Sequence, residues 1–277
     1  MPKILSEDAV QQYERDGYTF PIRAMSAGDA LHYRKCLEVY EQETGGPISS
    51  NMRRKTHLLF RWANELIRHP KIVDAVEDIL GPDILCWASN FFIKEANTPD
   101  FVAWHQDATY WGLSSNDVVT VWIALTDAPV ESGAMKFLPG SHRQAVLEHR
   151  DTFDDHNLLT RGQEIAVDVP DDEGVYVPLK AGEFSLHHVL LVHGSEPNTT
   201  NDRRIGLAIR YIPTHVRQLK ADDTAMLVRG IDVHNYFNHE RDPVHDLDEA
   251  ALAAHAKAIN ANVKTLYSGT DKTVFRA

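Results

Sequence analysis

The chain has 277 residues, 43% of them hydrophobic and 25% charged, an ordinary globular composition that suits one large domain or two small ones. Its formal net charge of −12, from 28 Lys+Arg against 40 Asp+Glu, argues against nucleic acid as a partner and favours a small-molecule substrate or a protein partner. No apolar run reaches the roughly 18 residues of a membrane span. Acidic residues at Glu7 and Asp8 come too early for a secretion signal, so no membrane partner and a cytoplasmic location are expected. The two cysteines, Cys36 and Cys86, are too few for a disulfide framework or a cysteine-based zinc site.

Taken in order, Ser6 followed by Glu7 and Asp8 predicts a capped helix that ends at Gly17, and Tyr18 to Ile22 then reads as a strand. Leu31, Leu37 and Tyr40 give helical spacing from Ala27 to about Glu43. The run Asn51-Met52-Arg53-Arg54-Lys55-Thr56-His57 is the one basic stretch, either a solvated loop or an anion contact. Leu58 to Leu80 reads as helix, restarted at Pro70 and stopped by Gly81-Pro82.

From Ile84 the pattern changes to short β-rich runs: Ile84–Ile93, Trp104–Tyr110, Val118–Leu125, Ala134–Leu138, Gly174–Val177, Glu183–His187, the segment around His193, and Arg204–Tyr211. Turn-forming stretches such as Asn97-Thr98-Pro99-Asp100 and Pro139-Gly140-Ser141 separate them, a layout that suits a sandwich or jelly roll. Residues 143–170 read as an excursion from that core, and Asp246 to about Lys264 as a closing helix. The expected organisation is one α+β, mainly β domain over 1–277: a helical part at 1–82, a β core at 83–213, and a C-terminal loop and helix at 214–277.

His105-Gln106-Asp107 is the stretch with chemistry in it. Residues two apart on an extended backbone leave the same face, so His105 and Asp107 point together. A third ligand from another strand, with His193 the candidate, would complete the two-His-one-carboxylate face of a non-haem Fe(II) site. In Arg204–Tyr211, Arg204, Gly206, Ala208 and Arg210 share one face. A buried arginine there suits bidentate capture of a carboxylate.

His105-Gln106-Asp107, His193-Gly194-Ser195-Glu196-Pro197-Asn198 and Arg204 together resemble the phytanoyl-CoA dioxygenase family. The resemblance extends over Trp87 to Pro213 and takes in Phe137-Leu138-Pro139-Gly140-Ser141-His142. It implies a double-stranded β-helix (a cupin-like jelly roll), with Fe(II), 2-oxoglutarate and O2 as cofactor and cosubstrates. By the same resemblance His105, Asp107 and His193 would bind iron, and Arg204 with Ser195 would hold the distal carboxylate of 2-oxoglutarate. Trp122, Asn90 and Lys55 match further cosubstrate contacts. Related halogenases carry Gly or Ala at the carboxylate position, so Asp107 implies hydroxylation.

For substrate, Lys94 through Gly112 and the Arg-Gly-Gln-Glu at 161–164 look similar to aminoalkylphosphonate dioxygenases, with Arg53 and Tyr110 as candidate contacts. Trp104, Tyr110 and Trp111 flank the metal motif as core aromatics or as a face for an ammonium group. The alternatives are a hydroxylase of a natural-product or acyl substrate, and a non-catalytic β-helix protein that binds a metal or ligand.

Overall fold

Ser6 caps α1 (Glu7–Asp16) by accepting from the Ala9 amide at 3.1 Å, and Gly17 ends the helix at φ 84°. The computed structural model describes residues 2–267. Strand β1 (Tyr18–Arg23) leads into α2 (Ala27–Thr44), where Ser26 and Asp29 form a capping box. After a 3-10 turn at Thr56–Leu58 come α3 (Arg61–Ile67) and α4 (Pro70–Leu80), the latter with proline in its first turn.

The helix expected from Leu58 therefore begins only at Arg61, because Phe60 is extended at φ −125°. Leu58, Leu59 and Phe60 are all fully buried, and three consecutive residues cannot all lie on one buried helical stripe.

The strands follow as β2 (Ile84–Lys94), β3 (Val102–His105), β4 (Val119–Ala124), β5 (Met135–Phe137), β6 (His149–Asp151) and β7 (Gln163–Ile165). Next are β8 (Val175–Val177), β9 (Glu183–His188), β10 (His193–Ser195), β11 (Arg204–Pro213), β12 (Thr224–Arg229) and β13 (Asn238–His239), and α5 (Glu249–Leu266) closes the described chain.

Two sheets form the jelly roll of a double-stranded β-helix. The larger runs β1-β9-β4-β11-β2-β12-β13 and the smaller β3-β10-β5-β8, while β6 and β7 make a hairpin in the excursion. The β core is thus wider than 83–213. Strand β1 pairs with β9 at one side, and β12 pairs with β2 at the other. Both additions shield edges that would otherwise expose unpaired backbone groups.

Strand β11 is buried along its whole length, so its alternation sorts residues between two apolar layers. Ile205, Leu207 and Ile209 pack with Leu37, Leu66 and Val73 of the helices. Ala208 joins Trp122, Phe137 and Leu191 between the sheets. At Gly206 an added Cβ would lie 1.9 Å from the Trp122 ring, so only glycine lets the indole cross this strand. Among the described residues, no helix is long and apolar enough to cross a membrane.

Candidate metal centre and the cavity beside it

His105 closes β3, and His193 opens β10 directly across from it. The pairing sets the two imidazoles side by side, ring centroids 4.0 Å apart. Gln106 continues the extended backbone at φ −114° and ψ 134°, so alternation brings Asp107 back to the side of His105. The strand expected to run on to Tyr110 stops at His105. The chain turns into a 3-10 segment, Asp107–Tyr110, while Gln106 is held on the far face by Leu190 O at 2.8 Å and the Leu147 amide at 2.7 Å.

Ligand atoms of His105, Asp107 and His193 all lie within 4.8 Å of one another. Each imidazole is oriented by its own chain: His105 Nδ1 lies 2.9 Å from Ala103 O, and His193 Nδ1 lies 2.9 Å from Leu191 O. A carbonyl only accepts, so Nδ1 carries the proton and the Nε2 lone pair is left for a metal. Asp107 Oδ1 is 3.6 Å from His105 Nε2, and Oδ2 takes a hydrogen bond from Thr120 Oγ1 at 3.3 Å.

Burial alone would push the Asp107 carboxyl up. The contact with His105 and the Arg210 guanidinium, with the His193 ring beside them, outweigh it and hold the carboxyl well below its usual range. Burial also pushes His193 down, aided by His105 and His187, which keeps the imidazole neutral as a ligand must be. Two neutral imidazoles and one carboxylate form a donor set that suits Fe(II).

His187 faces this centre and His188 does not. The His187 ring is fully buried 4.8 Å from the His193 ring, its Nε2 is 4.0 Å from Asp107 Oδ2, and neither nitrogen has a hydrogen-bond partner among the described residues. His188 turns the other way and accepts from the Leu190 amide at 3.1 Å. His142 staples its turn, with Nε2 3.2 Å from Glu14 O.

Arg204 and Lys94 are cross-strand partners on β11 and β2. The fully buried Arg204 donates to Gly133 O at 2.7 Å, its Nε has no partner among the described residues, and its Cζ lies 5.1 Å from the Trp122 ring centroid. Burial pushes it down to about 10, with no carboxylate to offset the cost. Lys94 Nζ donates to Ser195 Oγ at 2.7 Å, to Ser195 O at 3.1 Å and to Glu196 O. Burial, then Arg204, lowers Lys94 to about 6, although three oxygen acceptors are the complement of an ammonium. Two buried cations whose contacts are all neutral fit a bound dicarboxylate, whose charge would offset their desolvation.

Around the centre lies a space of roughly 400 Å³ lined by His105, Asp107, His193, Trp122, Ser195 and Arg210. Asp107, Phe92 and Arg210 also line a neighbouring cavity of roughly 1090 Å³, open at its mouth. Arg53, Asn90 and Tyr110 face this larger cavity. Arg53 reaches it because its carbonyl accepts from the Phe91 amide at 2.8 Å, and its Nε is spent on Ile48 O at 3.0 Å. Asn90 accepts from Arg210 Nη1 at 3.0 Å once its amide is turned to suit both neighbours. Tyr110 donates to Asp151 at 2.9 Å beneath the Arg161 guanidinium, 4.2 Å from the ring centroid.

Lys55 lines neither space. Its ammonium is bonded to Glu240 Oε1 at 2.6 Å and to Thr224 O at 2.8 Å, in a separate buried cluster, which removes it from the expected cosubstrate contacts. Sequence reasoning assigned no specific contact to Arg210, Lys94 or His187. Alternation along β2 and β11 was the available signal, since it places Lys94 and Arg210 on the inner face with Asn90 and Arg204.

A probable alpha-ketoglutarate-dependent hypophosphite dioxygenase from Stutzerimonas stutzeri is 33% identical over 180 residues, 63% of this chain and 62% of that protein. L-proline trans-4-hydroxylase from Streptomyces griseoviridis is 26% identical over 231 residues, 74% of this chain and 85% of its own. The solved apo structure of the non-heme monooxygenase ThoJ superposes with a TM-score of 0.84 at 37% identity, covering 94% of this chain and 97% of that one. The family model for phytanoyl-CoA dioxygenase matches residues 2–206, and the chain belongs to that family.

Proposed function

We propose that this chain, an Fe(II)/2-oxoglutarate-dependent oxygenase of its family, holds iron through His105, Asp107 and His193 and hydroxylates a small zwitterionic phosphonate in the cavity beside them. The observation that carries the reading is the convergence of the three donors, both imidazoles oriented by backbone carbonyls, within a space that also reaches Ser195 and Trp122. When bound, iron would supply the chemistry by which O2, with 2-oxoglutarate as the co-oxidised partner, replaces a C–H by C–OH.

The protein's own contribution is placement. Arg204 and the Lys94–Ser195 pair would receive the distal carboxylate of 2-oxoglutarate, with the Trp122 ring as its floor. Arg210, 4.0 Å from Asp107 Oδ1, holds the carboxylate ionised. Phe92 and Trp111 lie beside Arg210, with their ring centroids 5.7 and 5.4 Å from its guanidinium, and help to hold it in place.

The phosphonate assignment draws support from the relative described as acting on hypophosphite and from Arg53 in the wall of the cavity. The test is succinate formation with 2-aminoethylphosphonate and its N-methylated forms. Turnover no higher than the uncoupled background rejects the substrate, and His193→Ala as active as the wild type rejects the metal assignment.

A further inference from the structure

The wall of the larger cavity away from Arg53 carries a carboxylate that the metal site does not use. Asp223, 5% exposed, stands just before β12 and lines this cavity. Its Oδ2 accepts from Trp87 Nε1 at 2.7 Å, and its Oδ1 accepts from the Thr224 amide at 2.8 Å and from Asn262 Nδ2 at 3.4 Å. Every one of these donors is neutral, and no ion pair reaches Asp223 among the described residues. A carboxylate buried without a cation is costly, and a cavity wall is where a ligand can supply one.

The groups beside it match that role. Trp87 and Trp111 line the same cavity with ring centroids 5.0 Å apart at 60°, so the carboxylate stands at the edge of an aromatic corner. Arg210 covers one side of Trp111 at 5.4 Å and is drawn to Asp107 rather than to Asp223. Indole faces attract ammonium and alkylated ammonium groups by about 0.5–2 kcal/mol, more when water is excluded.

Position along β2 adds a direction. Asp223 is bonded at Trp87 and the Arg53 backbone at Phe91, levels that a strand rise of about 3.3 Å per residue sets roughly 13 Å apart.

We propose that Asp223, with Trp87 and Trp111, is the ammonium-reading corner of the substrate site, so that the substrate's cationic head lies at the Trp87 end and its anionic group at the Arg53 end. This rests on the larger cavity being the substrate site, as read above. The class it selects is a zwitterion with a primary or N-methylated amine, and the C–H to be hydroxylated lies between the two charges, facing the Asp107 side of the wall.

The test uses the full chain loaded anaerobically with Fe(II) and 2-oxoglutarate, titrated with choline and with its uncharged isostere 3,3-dimethylbutan-1-ol and followed by tryptophan fluorescence. Choline is expected to bind saturably and at least about tenfold more tightly than the isostere. Asp223→Asn is expected to bring that ratio near one while 2-oxoglutarate still binds. Trp111→Leu, which leaves every Asp223 hydrogen bond in place, should reduce the ratio in the same direction and serves if Asp223→Asn does not fold. Equal binding of the two probes by the wild type, no saturable choline binding, or a ratio unchanged in the variants would each overturn the proposal. The two readings fail separately. Selective choline binding without turnover of any aminoalkylphosphonate removes the phosphonate and keeps the corner, whereas phosphonate turnover indifferent to Asp223→Asn removes the corner alone.

Discussion

Strand β2 carries a histidine–carboxylate cluster against each of its faces, and the two are built on opposite principles. On the face of Ser89, Glu240 Oε1 accepts from Lys55 at 2.6 Å and from Thr224 Oγ1 at 2.6 Å, and its Oε2 meets His57 Nε2 at 2.8 Å. His57 Nδ1 then lies 2.7 Å from Ser89 Oγ. The order Ser89–His57–Glu240 is that of a hydrolytic triad. Yet Ser89 and His57 are wholly buried and line none of the cavities described above, so the cluster is a closed strut that ties β2 to the chain after β12. On the face of Asn90 the donors are present but unspent: His105 and His193 keep Nε2 for a metal, His187 has no partner, and Arg204 Nε is orphaned. Residue types alone do not separate a strut from a site. Satisfaction helps to, because a cluster of buried polar groups left without partners carries a free-energy cost that a bound ligand can offset.

The largest expected effect is on iron. Asp107→Ala should abolish coupled turnover and weaken Fe(II) binding by more than the ~10–100-fold typical of losing an outer partner of a ligand. The melting temperature without added metal should fall, because the substitution leaves Arg210 buried without the carboxylate 4.0 Å from it. Iron titration beside thermal unfolding checks both halves, and an unchanged Fe(II) affinity would place this cluster with the strut.

Glu240→Gln should behave in the opposite way. It leaves Lys55 buried with its counter-charge removed, so unfolding free energy should fall by about 3–5 kcal/mol by denaturant titration. Iron and 2-oxoglutarate affinities should stay within about twofold, and a selective loss of cosubstrate binding would return Lys55 to the site.

Arg204→Met should weaken 2-oxoglutarate binding by about 1.5–3 kcal/mol, the range for a hydrogen bond to a charged group. Stability should not suffer, because the deleted cation had only Gly133 O to bond. Calorimetry of cosubstrate binding, read against the melting temperature, decides it.

The smallest effect is on pH. Burial raises Glu240, but Lys55 and His57 outweigh it and bring it from 4.5 to about 2. A carboxyl depressed in the folded state contributes stability that is complete above the unfolded value of 4.5 and is lost as pH falls through about 2. The stability gap between wild type and Glu240→Gln should therefore narrow between those limits. A gap that stays constant would show that the strut does not depend on charge.

Much of this was legible beforehand. Short alternating strands between turn residues signalled a sandwich or jelly roll, and the His-x-Asp spacing works because one extended residue, Gln106, returns the chain to the same side. The spread of His105, Asp107, His193 and Arg204 over three strands and a turn was readable only through a resemblance carried by several motifs at once. What could not be read was how side chains pair across long separations. Lys55 sits in a basic run that looks like an anion contact, and only the approach of Glu240 shows that its charge is taken. Arg53, two residues earlier, keeps its place in the cavity wall.

The sequence by itself determined the layers, the donor types and the strand faces from which they project, because periodicity and residue chemistry are local. The tertiary structure decided which donors are left over. That Asp223 meets Trp87, that Lys94 lies beside Arg204, and that His187 rather than His188 turns inward depend on the register of β2 with β11 and β12 and of β9 with β4. Register is a property of paired strands, set by the packing of both faces together, and no single segment carries it.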